Sequence, residues 1–442
     1  MGHIRQFRDP KISLWQSAVD EVVASKSATA QAQSLGIAKV TPQRPTTDDP
    51  MIHEAAVFAA ASESGRPIAG APAGGPPVAE GISDVARHCS NVALKLAEAL
   101  GRAILGGDPN EIKQYQDQLG KFTTCDSRYA EAAKKYAEYF VLQHKNIPYR
   151  RYQKITDFII KDVMKFPNNA RVAIVGDWGT GQDDAKEVLR QVMDKKPHVI
   201  IHLGDIYYSG TQFEVDNYFY APLKQIALAN PALLTFSLSG NHDMYCGGQP
   251  YYNLIDKLGQ PASYFCLRND NWQFIAIDTG LHDCNPIGAE PPILESSEKD
   301  WIVDKIQNGN PGKTVLLSHH QLYSAYDCLS GQGINEHLSG QLQDVLNKIA
   351  VWIWGHEHNL VIYKKQLGVL GRCVGHGAFP VAFDEIPDPP PFPAIATEPV
   401  RLSRGFAFYR HGYAIMELDG PSAQVSYFED LSPGKPLFQE TR

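Results

Sequence analysis

RVAIVGDWG (171–179) and VIIHLGDIYY (199–208) share one construction: an apolar, strand-like run, then glycine, then aspartate. Such a pair reads as a strand and its exit into a loop. The pattern recurs in LLTFSLSGNHD (233–243), KTVLLSHH (313–320) and VWIWGHEH (351–358). These five exits carry Asp177, Asp205, Tyr208, Asn241, His242, His319, His356 and His358. A lone Gly-Asp after a strand is an ordinary turn. Five exits in series with carboxylate, phenol, amide and imidazole groups are enough to build a two-metal hydrolytic centre.

The donor types narrow the metals. Aspartate oxygens, histidine nitrogens and an asparagine carbonyl suit Zn, Mn and Fe, and the absence of cysteine from these five exits argues against a structural zinc–thiolate site. A carboxylate such as Asp205 can bridge two ions about 3.5–4 Å apart. The two histidines of GHEH flank a single residue, so on an extended loop each could serve a different ion.

Outward from these exits, apolar runs alternate with helical stretches from Arg171 onward, with helices expected at Ala185–Met193 and Gln341–Ile349. GYAIMELDGPSAQVSYFED reads as a β-hairpin turning at Asp419-Gly420. Upstream, helical spacing marks a short helix in 11–35. Residues 41–80 are a Pro/Gly/Ala-rich linker, and helices follow near 83–105, at Asp108 with its capping-box Glu111, and over Tyr152–Phe166. The expected division is a helical segment (1–40), linker (41–80), helical region (81–168), catalytic domain (169–432) and C-terminal tail (433–442).

Composition bounds the rest. A chain of 442 residues exceeds what a single core usually organises. A net charge of -8 argues against a nucleic-acid partner. The seven cysteines are odd in number, dispersed and without a CxxC pair, which favours free thiols in a reducing compartment. Neither a signal-peptide h-region nor a membrane-spanning apolar run is visible, so the expected location is cytoplasmic, signal-independent export aside. His198 and His202 read as packing residues, and Asp183 and Asp184 as first-turn helix charges. GDWGTG (176–181) lacks the Lys-Ser/Thr of a phosphate-binding loop.

The order DxG, GDxxY, GNH(D/E), xxxH, GHxH resembles the calcineurin-like metallophosphoesterase superfamily, over roughly 170–430. Pairing Asp177-Trp-Gly179 with Tyr208 resembles its purple acid phosphatase branch. The resemblance implies an α/β fold: a calcineurin-like β-sandwich flanked by helices, here preceded by an all-α N-terminal region. It assigns Asp177, Asp205, Tyr208 and His358 to one metal, and Asp205, Asn241, His319 and His356 to the other. The first site is the more anionic, so Fe(III) is expected there, with Fe(II), Zn or Mn at the second. The implied reaction is in-line attack of a metal-bound hydroxide on a small-molecule phosphate ester, monoesters favoured. His242 would stabilise charge or protonate the leaving oxygen, Asp243 would orient it, and His320 would contact substrate. Two departures matter. Cys328 stands where the branch carries a further histidine. IYYSG follows Gly204-Asp205 in place of the Asp-Arg-Gly extension of serine/threonine protein phosphatases, which argues against protein phosphatase activity. A phosphodiesterase of cyclic nucleotides or phospholipid head groups, or a metal-stabilised interaction module without catalysis, are the alternatives. The oligomeric state is not encoded in any motif.

Overall fold

Val172–Val175 is apolar at every position, leaving no face for solvent, and the fold buries all four residues. The computed structural model describes residues 147–282, 291–309, 312–383, 385–405 and 408–442. Its strands, in chain order, begin with β1 (Ile159–Ile160), β2 (Arg171–Val175), β3 (Val199–His202) and β4 (Leu234–Ser237). β5 (Phe265–Arg268), β6 (Trp272–Ala276), β7 (Lys313–Leu317) and β8 (Ile349–Trp354) follow. The last are β9 (Leu360–Ile362), β10 (Gly371–Val374), β11 (Gly412–Asp419), β12 (Ser422–Glu429) and β13 (Phe438–Thr441).

They form two sheets. The six-stranded sheet runs β13-β12-β11-β2-β3-β4, with β2, β3 and β4 parallel. The seven-stranded sheet runs β1-β5-β6-β7-β8-β10-β9, with β6, β7, β8 and β10 parallel. Alternation decides what each face meets. Ile174, Ile201 and Phe236 of the first sheet join Phe274, Leu317 and Ile353 of the second in one buried cluster between the sheets. The intervening residues Ala173 and Ile200 face Val188 and Val192 of the helix Asp183–Asp194 and Leu223 of the helix Ala221–Ala229. On the far side, Leu316 and Trp352 face Trp301 and Ile302 of the helix Ser296–Asn308 and Leu338 of the helix Glu336–Leu342. The result is the expected α/β sandwich flanked by helices. Among the described residues no helix is long and apolar enough to cross a membrane.

Three expectations are corrected. Tyr152–Phe166 is not a helix. The Asp157 carboxylate takes the amides of Gln153 and Lys154, Asp162 takes those of Met164 and Lys165, and Phe158 lies at φ +63°. Side-chain acceptors thus claim the amides that helical bonds would use. β1 then pairs with β5, so this stretch belongs to the sandwich and leaves Val163 and Met164 exposed. The helix expected over Gln341–Ile349 instead starts at Glu336, where the Asn335 side chain accepts the Leu338 amide, and ends at Leu342; β8 opens at Ile349. Within the C-terminal tail, β13 pairs with β12, and Glu440 meets buried Arg372 at 2.6 Å. The C-terminal hairpin forms with Asp419 opposite Ser422, so the turn sits one residue later, at Gly420-Pro421, with Gly420 at φ +54°. The helices and linker expected before residue 147 lie outside the described residues.

Candidate metal centre

Register brings the motifs together. Val175, His202 and Ser237 are neighbours at the ends of β2, β3 and β4, and Leu317 pairs with Ile353 near the ends of β7 and β8. All five ligand-bearing loops therefore leave from the carboxyl ends of parallel strands, the edge at which open α/β sheets build their sites. The backbone is bent to serve them. Asp177, Asp205, His356 and His358 have φ between +50° and +71°, a region costly for non-glycine residues. Gly204, at φ +106°, starts the Asp205 turn, and a Cβ on Gly240 would lie 2.0 Å from Asp205 Oδ1.

Two groups of donors result: Asp177, Asp205 and His358 in one, His319, His320 and His356 in the other, all buried. In the first, His358 Nε2 lies 3.3 Å from Asp177 Oδ1. The phenol there is Tyr207, not Tyr208. Its hydroxyl is 2.8 Å from Asp177 Oδ1, 3.2 Å from Asp205 Oδ2 and 2.8 Å from His358 Nε2. Tyr208 offers its main chain instead, its amide to Glu214 and its carbonyl to His242 Nδ1 at 2.6 Å. Motif spacing selects Tyr208, whereas the hydroxyl placed among the first donor group is that of Tyr207.

In the second group, His319 Nε2 lies 3.3 Å from Asp205 Oδ2, 3.1 Å from Asn241 Oδ1 and 3.1 Å from His356 Nδ1. Its Nδ1 faces the Leu203 carbonyl at 3.0 Å, which places the proton on Nδ1 and the lone pair on Nε2. A lone pair facing two oxygens and a nitrogen is a place for a cation, so the residues present fit a metal. Burial alone would lower His319, but Asp205 leads the charges that bring it up to about 9. For Asp205, burial works upward, yet His319 and His242 hold it well below the usual carboxylate range. Burial, then the Asp177 and Asp205 charges, keeps the Tyr207 phenol far above its ordinary value, a balance that a cation between them would reverse.

The expected catalytic residues separate into roles. His242 Nε2 stands 3.9 Å from Asp205 Oδ2, its Nδ1 fixed by the Tyr208 carbonyl. Burial lowers its pKa. Asp243 does not orient His242. Its carboxylate accepts the amides of Gly240 (2.8 Å), Asp205 (2.9 Å) and Ile206 (3.2 Å), tying two ligand loops together. His320 lies within the second donor group, with Nδ1 at 3.0 Å from Thr279 Oγ1. Cys328 is exposed. His202 is a packing residue as expected, bonded to Ser237 at 3.0 Å, packed edge-on against Trp178 and tilted against Phe219, and brought down to about 3 by burial. Sequence reasoning missed Tyr207, Glu214, Thr279 and Glu357. Glu214 takes the amides of Tyr208, Ser209 and Thr211, and Glu357 holds the GHEH loop through Ser324 and Trp354. The capping box from Thr211 to Glu214 was the one local signal among them.

Residues 170–360 match the family model described as calcineurin-like phosphoesterase. No curated protein matches the chain. Among solved structures, it is similar to GAP50, the anchor in the inner membrane complex of Plasmodium. The identity is 14% over 62% of this chain and 88% of that one, with a TM-score of 0.46. It is also similar to a dimetal phosphatase from Danio rerio, at 13% identity over 62% of this chain and 98% of that one, with a TM-score of 0.41.

Proposed function

We propose, from the premise that residues 170–360 are a calcineurin-like phosphoesterase domain, that the protein is a dinuclear-metal hydrolase of phosphate esters, with monoesters preferred. The observation that carries this reading is Asp205, whose Oδ2 faces both Tyr207 of the first donor group and His319 of the second. Asp177, Tyr207 and His358 would hold one ion, Asn241, His319 and His356 the other, with Asp205 between. Two ions bound there would polarise the phosphoryl group and neutralise charge developing on its oxygens. The chain supplies the rest. His242 presents Nε2 beside the shared carboxylate, whose charge favours the imidazolium form that would give a proton from Nε2 to the leaving oxygen, the Nδ1 proton being held by the Tyr208 carbonyl. The Tyr208 carbonyl fixes which ring nitrogen does so. The monoester preference rests on the motif resemblance to purple acid phosphatases. Metal analysis of the purified chain with a substrate panel tests the reading. Two ions per chain and turnover of p-nitrophenyl phosphate in preference to its bis-ester are expected. Preference for the bis-ester favours the diesterase reading, and no turnover of either by the fully metallated protein favours a non-catalytic module.

The first site is the more anionic and carries the phenol, so it is assigned Fe(III), with Fe(II), Zn or Mn at the second. The ferric protein is expected to absorb in the visible through tyrosinate-to-iron charge transfer. Tyr207→Phe should abolish the band and Tyr208→Phe should keep it. A colourless wild-type protein with two Mn ions at full occupancy removes the iron assignment. A band lost in Tyr208→Phe alone restores the motif-based choice of tyrosine.

A further inference from the structure

Both proposed metal sites draw on the two sheets, so their geometry depends on how the loop edges of those sheets are held at a fixed spacing. For the first group the tie is direct, since Asp177 Oδ2 accepts the His356 amide at 2.8 Å. The second proposed site combines Asp205 and Asn241, which follow β3 and β4, with His319 and His356, which follow β7 and β8. Between them runs the loop that leaves β6. Asp278 Oδ1 accepts the Ser239 hydroxyl, two residues before Asn241, and the Leu281 amide at 3.0 Å. Thr279 Oγ1 meets the His320 amide at 3.1 Å and His320 Nδ1 at 3.0 Å. Gly280 packs so closely on the Asn241 loop that a Cβ there would stand 2.6 Å from the Gly240 carbonyl oxygen. Consecutive side chains thus grip loops from different sheets. The grip has its own anchor: the Asp278 amide donates to Glu298 Oε1 at 2.7 Å, and Tyr149 donates its hydroxyl to Glu298 Oε2 at 2.6 Å. Asp278, Thr279 and Glu298 are all fully buried.

We propose that Asp278 and Thr279 are positioning residues of the second metal site, setting the spacing between Asn241 and the His319–His320 pair. The inference rests on the dinuclear reading above. Thr279 holds the Nδ1 edge of His320, so the Nε2 edge is presented away from it. Asp278 keeps the Ser239–Asn241 segment within reach of His319. Groups that orient metal ligands from behind typically change metal affinity by about 10- to 100-fold when removed.

The test is calorimetric titration of the full-length chain with Mn(II). Thr279→Val keeps the shape of the side chain and removes its hydroxyl. It is expected to weaken one of the two Mn(II) sites by about 10- to 100-fold, leave the other within a factor of about three, and be rescued by Thr279→Ser. Ser239→Ala, which deletes only the bond to Asp278, is expected to weaken the same site and carries the test if Thr279→Val does not fold. Wild-type affinity at both sites in Thr279→Val and Ser239→Ala overturns the inference. So does equal weakening of both sites, or a loss that Thr279→Ser does not repair. A wild-type chain that takes up no ion overturns the dinuclear reading itself, and this inference with it.

Discussion

Asp205→Ala is expected to lower phosphoester hydrolysis by about four orders of magnitude or more and to reduce bound metal from two ions per chain to fewer than one. Asp205 faces donor atoms of both halves of the centre. Its Oδ2 lies 3.2 Å from the Tyr207 hydroxyl, 3.3 Å from His319 Nε2 and 3.9 Å from His242 Nε2, while Oδ1 accepts the His242 amide at 3.0 Å. Removing it strips each site of its shared anion, leaving the second site with neutral donors only. A polarising metal contributes several kcal/mol to the transition state, and about 5–6 kcal/mol corresponds to roughly four powers of ten in rate. The same substitution leaves the His242 amide without its acceptor, at about 1–3 kcal/mol. It also relieves a fully buried carboxylate, so the fold is expected to survive. Asn241→Ala provides the contrast, since it touches one site and should cost one ion. Metal content by emission spectroscopy, with turnover measured in excess metal, decides. An Asp205→Ala protein that keeps two ions, or activity within tenfold of wild type, removes Asp205 from the bridging position.

Much of this centre was legible in the sequence because metal donors at strand exits need only two local facts: where an apolar run stops and which polar residue follows. Val172–Val175 and Ile349–Trp354 announce buried strands by their composition, and parallel pairing brings their exits to one edge without further information. What was not legible depended on contacts between residues distant along the chain. Spacing singles out Tyr208, but Glu214 claims the Tyr208 amide while the Tyr207 hydroxyl turns to Asp177 and His358. Thr279 bonds to a residue 41 positions away, and Glu357, hidden between two ligand histidines, acts through Ser324 and Trp354. At Tyr152–Phe166 the helical spacing of apolar residues was real, but Asp157 and Asp162 redirected the backbone amides and strand pairing with Phe265–Arg268 took the rest. Periodicity reports which residues are apolar; it does not report which acceptors compete for their amides.

Asp243 shows how far the centre depends on such competition, and Asp243→Ala is expected to destabilise the fold by about 3–6 kcal/mol. The side chain was expected to orient His242, but its carboxylate instead accepts the amides of Gly240, Asp205 and Ile206. Those amides belong to the exits of β3 and β4, and Asp205 and Asn241 are fully or almost fully buried. Alanine would leave three N–H groups without their acceptor where water has little access, each at about 1–3 kcal/mol. An opposing effect sets the upper limit. Burial, with the nearby Asp205 charge, pushes Asp243 up to about 8, so deleting it relieves some repulsion between buried carboxylates. Three lost acceptor contacts outweigh one partly relieved charge. Asp243→Asn separates the two effects, because its amide oxygen keeps an acceptor while its charge is gone, and it is expected to cost roughly half as much as alanine. Urea unfolding of the metal-free chain measures both. If Asp243→Ala lies within about 1 kcal/mol of wild type, the three amides do not depend on the carboxylate and Asp243 is not the tie between the loops. If Asp243→Asn is the less stable of the two, the amide N–H groups are opposed by its NH2 and the charge itself, rather than the acceptor, holds the loops together.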